Sequence, residues 1–171
     1  MGEEKLKKLF GEEFLEKYRQ IKSRAAMVPE RKLAEIRDYA MRMMRDQALT
    51  NPEFDFRVKY GNLDILMVST PEGDTLREIK TTSSGNYKVT MIWNGSKSIF
   101  GPFVAVFIPA ERRDIAEMLT REPGEVFFIV GKLKEQFYQG DITYSFRLLG
   151  VIPIMEEEVG GETSDSGTEV Q

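Results

Sequence analysis

The chain has 171 residues, 41% of them hydrophobic, which is enough to bury the core of one ordinary domain and to carry additional segments. It contains neither cysteine nor histidine, which excludes disulfides, thiol or imidazole nucleophiles and ordinary zinc sites, so we expect no cofactor and no enzymatic activity. No stretch approaches the roughly 18 apolar residues of a membrane span, and the charged start is unlike a signal peptide. We therefore expect a soluble, cytoplasmic protein, and the 30% of charged residues together with the missing cysteine are typical of thermophilic proteins.

The first 50 residues are predicted to form a helical hairpin. Within residues 3–26, apolar residues recur every three or four positions at Leu6, Phe10, Phe14, Tyr18, Ile21 and Ala25. A second helix is expected from Pro29 to about Leu49, ended by Asn51-Pro52. Its apolar stripe consists of Leu33, Ile36, Ala40, Met43 and Gln47, widened by Tyr39 and Met44. The stripes can pack on the following sheet or on a second copy of the chain, and their extent favours a homo-oligomer.

From residue 54 the apolar period changes from that of a helix to that of strands. Residues 54–69 are either an extra hairpin or part of a long first strand, and the pattern leaves both open. The next strands are expected at 75–81, 87–93 and 97–108, with a bulge or kink at Gly101-Pro102. A short amphipathic helix is expected at 110–121, followed by a long hairpin over 125–154 that turns at Gln139-Gly140-Asp141.

The charge of the chain is segregated at its end. The net charge is −4, but residues 156–171 contain six acids and no base, so the rest of the chain is net positive. This tail has too few apolar side chains to offset its ordering entropy, so we expect it to be disordered. It can serve as a solubilising end, as a mimic of nucleic acid that competes for a basic groove, or as a docking peptide for a partner.

The segments FGPFVAVFIPA, ERRDIAEMLTRE and VFFIVGKLKEQFYQGDITYSFRLLGV follow one another as strand, helix and hairpin. In this order they resemble the OB-fold single-stranded-DNA-binding proteins of the archaeal replication-protein-A kind. The resemblance implies an antiparallel OB-like β-barrel (51–155) with one helix between strands three and four. The helical hairpin (1–50) is not part of a minimal OB domain, and together with the barrel it gives an α+β protein. The resemblance also implies binding of single-stranded DNA in replication or repair. The additional helical hairpin suggests oligomerisation or a lineage-specific addition, so we expect a homo-oligomer or a subunit of a replication or repair complex.

A mixture of rings and cations in the strands predicts the binding residues, because bases stack on rings while cations contact phosphates. The predicted nucleic-acid-binding residues are Lys88, Trp93, Lys97, Phe100, Lys132, Lys134, Phe137, Tyr138 and Arg147. Alternation places Trp93 with Val89 and Met91, which also fits a core position. Phe137 and Tyr138 are adjacent, so they should point to opposite faces, and at least one should be exposed.

Two further features allow more than one interpretation. The second helix is rich in Lys and Arg, which is typical of a solvated face but also fits a phosphate-contacting patch. The whole domain can instead be a non-catalytic adaptor or structural subunit, since OB barrels bind proteins as well as nucleic acids. Binding of labelled oligo-dT that weakens as salt rises distinguishes the two functions.

Overall fold

The computed structural model describes residues 8–9, 11–13 and 27–154. Most of the predicted first helix, residues 3–26, and the whole acidic tail, residues 156–171, lie outside the described residues. Within residues 27–154 the helices are α1 (Glu30–Thr50) and α2 (Arg113–Thr120). The seven strands are β1 (Arg57–Tyr60), β2 (Leu63–Ser69), β3 (Lys80–Thr81), β4 (Tyr87–Ile92), β5 (Phe103–Ile108), β6 (Val126–Tyr138) and β7 (Asp141–Pro153).

Helix α1 has the bounds that its sequence predicts. Pro29 directly precedes its first residue, and its fixed φ of −61° suits a helix start. The buried residues Ile36, Ala40 and Met44 are four positions apart and form one stripe. Gln47, the predicted end of this stripe, is exposed, so the buried face ends at Met44, nearly two turns before the helix does.

The strands form one sheet in the order β1-β2-β6-β7-β5-β4-β3, and β2 also pairs with β4 through Ser69 and Ile92. Hydrogen bonding therefore runs around a ring of five strands, namely β2, β4, β5, β7 and β6. Every pair is antiparallel except β5 with β7, which is parallel. The sheet, which was predicted to be antiparallel, therefore contains one parallel pair. The chain crosses from β5 through α2 to β6 before β7 returns beside β5, so β7 runs in the same direction as β5.

The predicted strand over 75–81 is mostly a turn region, and only Lys80–Thr81 is a strand, at the end of the sheet. The guanidinium of Arg77 holds these turns by donating to the carbonyl of Glu72 at 2.6 Å and to the carboxylate of Asp74 at 2.7 Å. The first strand of the ring is instead β2. Residues 54–69 thus contain the β1–β2 hairpin, and the second strand of this hairpin opens the ring. Likewise, residues 97–102 form a loop, and the predicted strand over 97–108 begins only at Phe103.

Two apolar cores account for the sequence patterns of the strands. One core fills the interior of the ring, where all five ring strands contribute side chains and α2 adds Ile115, Ala116 and Leu119. The second core lies between α1 and the outer face of β1, β2, β6 and the end of β7. Strand β2 and the first half of β6 are thus buried on both faces, which explains their apolar runs. The stripe of α1 packs on the sheet of its own chain, one of the two alternatives that the sequence left open.

Asp64 links three strands at the buried edge of the second core. Its carboxylate accepts hydrogen bonds from the Leu133 amide at 2.8 Å and the Arg57 guanidinium at 3.0 Å, and the Lys59 ammonium lies at 3.2 Å. Burial by itself would raise the pKa of Asp64, but these donors outweigh it and lower the pKa below its usual value. The carboxylate therefore joins β1 and β6 to β2 as a charged group.

Replacing Asp64 by Asn is expected to lower the free energy of unfolding by about 1.5–3 kcal/mol, because hydrogen bonds to a charged acceptor are lost. A lowered pKa in the folded state gives stability that is present above the unfolded pKa, near pH 4, and lost as the pH falls through the lower folded value. Urea unfolding at pH 7 and at pH 3 checks both statements. Equal losses at the two pH values would contradict the role of the ionised carboxylate.

Candidate nucleic-acid interface

The strand registers place predicted cations from distant parts of the chain side by side. Lys88 pairs with Phe107, Phe107 with Arg147, and Arg147 with Lys132. Their neighbours Val89, Val106 and Phe146 are buried in the ring, so the paired residues lie on the outer face. Lys80 on β3 pairs with Lys88 and extends this row. With about 4.8 Å between neighbouring strands, the five positions span about 19 Å across the sheet. We call these five residues the basic row.

A groove of about 450 Å³ lies along the row on β5, β6 and β7. Its walls include Lys132, Lys134 and Arg147, and the half-buried ring of Phe107 lies among them. Ser145, which pairs with Lys134, adds a hydroxyl. The groove therefore combines an apolar surface with three cations, the composition that a nucleic-acid backbone and its bases require.

Asp141, beside the hairpin turn, is the one acidic side chain among the outer positions of β4, β5 and the paired halves of β6 and β7 around the groove. These outer positions are Lys88, Thr90, Ile92, Phe103, Ala105, Phe107, Lys132, Lys134, Gln136, Tyr138, Asp141, Thr143, Ser145 and Arg147. Within the described part of the chain, Lys88, Lys134 and Arg147 form no ion pair. Lys132 is held by donating to the carbonyl of Asn62 in the β1–β2 turn. These cations are consequently available to neutralise an anion.

Gly131 makes the alignment of the row possible. The register of β6 against β7 shifts between Val130, which pairs with Gly150, and Gly131, which pairs with Leu148, so Leu149 is the extra residue of a bulge in β7. A Cβ atom on Gly131 would lie 2.0 Å from the carbonyl oxygen of Arg147, a backbone atom that cannot move aside. Only glycine permits this approach, which brings Lys132 opposite Arg147.

The hairpin of β6 and β7 turns where the sequence predicts it. Gln139 and Gly140 both have positive φ, 50° and 83°, as the two central residues of a type I′ turn require. Tyr138 is on the face of Lys132, Lys134 and Gln136, and its side chain is 63% exposed. Phe137 is 79% exposed but lies on the opposite face with Leu133, which packs on the interior core. Opposite directions were predicted for this pair, and both rings are exposed.

The loop of residues 94–102 lies against the base of this turn. Asp141 accepts a hydrogen bond from the Ile99 amide at 3.0 Å and from the Ser98 hydroxyl at 2.8 Å. The Ile99 amide and the Ser98 hydroxyl hold the pKa of Asp141 below its usual value although burial opposes this. The predicted residue Phe100 is in this loop and is 72% exposed. Lys97 is also exposed, and its amide donates to the Tyr144 hydroxyl at 3.2 Å.

Trp93 does not belong to the surface, so its assignment as a binding residue was wrong. Its side chain is 2% exposed, its indole N–H donates to the Asp55 carbonyl at 2.8 Å, and its ring packs edge to face on Tyr144 at 5.2 Å. The alternation with Val89 and Met91 had indicated this core position. A ring whose polar atom is bonded inside the core cannot stack on a base.

Phe107 and Lys80 are members of the row that the sequence did not reveal. Phe107 stands in the run FVAVFI, in which every residue is apolar and alternation gives no sign of which face is outside. Lys80 lies in a segment whose strand content was overestimated. The signal that identifies both is the pairing with Lys88, which only the strand register provides.

The cations of α1 lie apart from the row. Helix α1 covers the outer face of β1 and β2, together with the first half of β6 and the last residues of β7. These parts of β6 and β7 are the ends of the two strands away from the hairpin tip. Arg42 lies over the Tyr39 ring at 5.9 Å, and Lys32 lies over the Tyr60 ring at 5.5 Å. Lys22 and Arg24 are outside the described residues. The solvated-face interpretation is therefore favoured for the described cations of this helix.

No protein-family model matches the sequence, and no curated protein matches it. Among the described residues, no group of three or more Asp or Glu side chains is arranged to hold a metal ion. None of the helices in the described ranges is long and apolar enough to cross a membrane. The geometry of the site is thus the basis for assigning a function.

Proposed function

We propose that the protein binds single-stranded nucleic acid, with DNA as the expected form, in replication or repair. The observation that carries the proposal is the basic row, in which Lys88, Arg147 and Lys132 meet around the Phe107 ring. Cations on one line across a sheet neutralise successive phosphates, and a ring between them offers a surface for a base. Such stacking requires unpaired bases, which favours a single strand over a duplex.

The strand order supports this proposal and our interpretation of the ring as an OB-like barrel. Counted along the chain, the ring strands are β2, β4, β5, β6 and β7, and α2 falls between the third and the fourth. In an OB-fold, the second and third strands and the loop between the fourth and fifth bind oligonucleotides. Here these parts are β4, β5 and the turn at Gln139-Gly140, which carry Lys88, Phe107 and Tyr138.

Salt dependence provides the direct test. Four cations, namely Lys132, Lys134 and Arg147 of the groove and the neighbouring Lys88 of the basic row, are expected to contact phosphates. Each contact with a single strand contributes about −0.7 to the slope of log K against log salt, so oligo-dT binding should have a slope of about −3. Fluorescence anisotropy with labelled oligo-dT between low and moderate salt measures this slope.

Two alanine variants provide the control for this measurement. Arg147→Ala removes a cation of the row and should reduce the slope by about 0.7. Arg31→Ala removes an exposed cation of α1, outside the row, and should leave the slope unchanged. A folded wild-type protein without affinity for oligo-dT at low salt would contradict the proposed function, and an equal effect of the two variants would contradict the placement of the site.

A second candidate function is that of a non-catalytic adaptor or structural subunit. It is favoured by the exposed apolar side chains Ile99, Phe100 and Phe137 at one end of the ring. Exposed apolar clusters mark protein contacts as well as stacking sites. Absence of oligo-dT binding by the folded protein would favour this alternative.

Assembly into a homo-oligomer, or into a larger replication or repair complex, stays part of the proposal. The apolar stripe of α1 no longer supports it, because Ile36, Ala40 and Met44 are buried against the chain's own sheet. The remaining support is the apolar stripe in the sequence of residues 3–26. An oligomer would align several basic rows along one strand and raise the overall affinity.

A further inference from the structure

Among the described residues, four of the large exposed apolar side chains lie in two neighbouring segments. The large exposed hydrophobic residues of the described ranges are Leu9, Leu49, Leu76, Ile99, Phe100, Phe137 and Tyr138. Four of these seven are in the loop of residues 94–102 or at the hairpin tip, two segments that are about 40 positions apart in the sequence. Scattered apolar residues need no explanation, but a cluster marks a binding surface.

Asp141 joins the two segments. It is the first residue of β7, and its side chain is buried although it stands beside the exposed turn. One carboxylate oxygen accepts from the Ile99 amide at 3.0 Å and the other from the Ser98 hydroxyl at 2.8 Å. The Ser98 oxygen in turn accepts from the Phe100 amide at 3.2 Å. A single carboxylate thus fixes the backbone of residues 98–100 against the hairpin.

The position of Asp141 decides which aromatic side chain of the hairpin tip the loop approaches. Its register partner across the hairpin is Tyr138, which shares its face of the ribbon. Tyr138 is six residues beyond Lys132 on β6, about 20 Å along the strand. The loop that carries Phe100 is therefore held next to the outer end of the face on which the cations lie. Both oxygens of the Asp141 carboxylate are engaged by donors of this loop.

We propose that Asp141 is a positioning residue that locks residues 98–100 to the hairpin, so that Phe100 and Tyr138 together form a platform for an unpaired base beyond the end of the basic row. The proposal rests on the proposed function. It adds to the phosphate-binding basic row a second part of the site, on which a base stacks. Asp141 itself contacts no ligand. Its effect on binding passes through Phe100.

The test is a double-mutant cycle of Asp141→Ala and Phe100→Ala, with two labelled probes, oligo-dT and an abasic oligomer of equal length. Phe100→Ala should lower the affinity for oligo-dT by about 5- to 150-fold, the range for loss of one base stack. Asp141→Ala should lower it by a similar or smaller factor. The double variant should bind no more weakly than Phe100→Ala alone, because both changes remove the same contact. The abasic oligomer has nothing to stack, so its affinity and its salt slope should stay unchanged.

Other outcomes overturn the proposal. Additive losses would mean that Asp141 acts independently of Phe100, and an equal loss for the abasic probe would mean that Asp141 merely supports the fold. Unchanged oligo-dT affinity in Asp141→Ala would show that Asp141 has no role in binding the oligonucleotide. If that variant does not fold, Ser98→Ala removes only the hydroxyl that bridges Asp141 to the Phe100 amide, and it should reproduce a smaller loss confined to oligo-dT. Wild-type protein that binds neither probe would instead refute the proposed function itself.

Discussion

Replacing Tyr138 by alanine is expected to weaken the binding of oligo-dT by about 1–3 kcal/mol, the contribution of one stacked base. Tyr138 is 63% exposed and lies on the same face of β6 as Lys132 and Lys134. A single-stranded nucleic acid whose phosphates contact these cations can place a base on the aromatic ring of Tyr138. Anisotropy titrations of both proteins at one fixed low salt concentration measure the difference.

Phe137 provides a matched control for Tyr138. It is the adjacent aromatic residue and is even more exposed, at 79%, but it lies on the opposite face of the hairpin with Leu133. Phe137→Ala should therefore change the affinity for oligo-dT much less than Tyr138→Ala does. Equal losses in both variants would show that the tip binds through its flexibility or its overall apolar character rather than through one face. No loss in either would exclude the tip as a stacking platform.

Replacing Trp93 by alanine is expected to lower the free energy of unfolding by about 3–5 kcal/mol, as for other buried large-to-small changes. The indole is packed on Tyr144, and its N–H is bonded to the Asp55 carbonyl. A Cβ on Gly95 would lie 2.4 Å from the same ring, so the indole has no free space on that side either. Urea unfolding followed by circular dichroism should show a lower midpoint with an unchanged m-value.

The effect of Trp93 should be confined to stability. Trp93→Phe retains most of the volume and should stay folded, with oligo-dT affinity close to that of the wild type. Ile99→Ala, a change at an exposed apolar residue, should alter the stability by no more than about 0.5 kcal/mol. A Trp93→Phe protein of undiminished stability that fails to bind oligo-dT would restore the indole to the binding site.

The sequence alone predicted the elements that local interactions control. The bounds of α1 follow from Pro29, the spacing of its apolar residues and Asn51-Pro52. The hairpin turn follows from Gln139-Gly140, since few residues tolerate the positive φ that a two-residue turn needs. The opposite directions of Phe137 and Tyr138, and the core position that alternation offered for Trp93, follow from the period of a strand. Each of these depends on residues that are close together in the chain.

Only the tertiary structure decided which strand opens the ring and which residues form the row. The ring begins with β2 because its run of apolar residues is buried on both faces, by the interior core and by α1, whereas the predicted segment 75–81 has too few apolar residues for that position. The row exists because β7 is parallel to β5, which sets Arg147 beside Phe107 and, through the bulge at Leu149, beside Lys132. The contact of Asp141 with Ser98 and Ile99 arises in the same way. A register between distant strands is a property of the whole packed sheet, so local sequence patterns do not contain it.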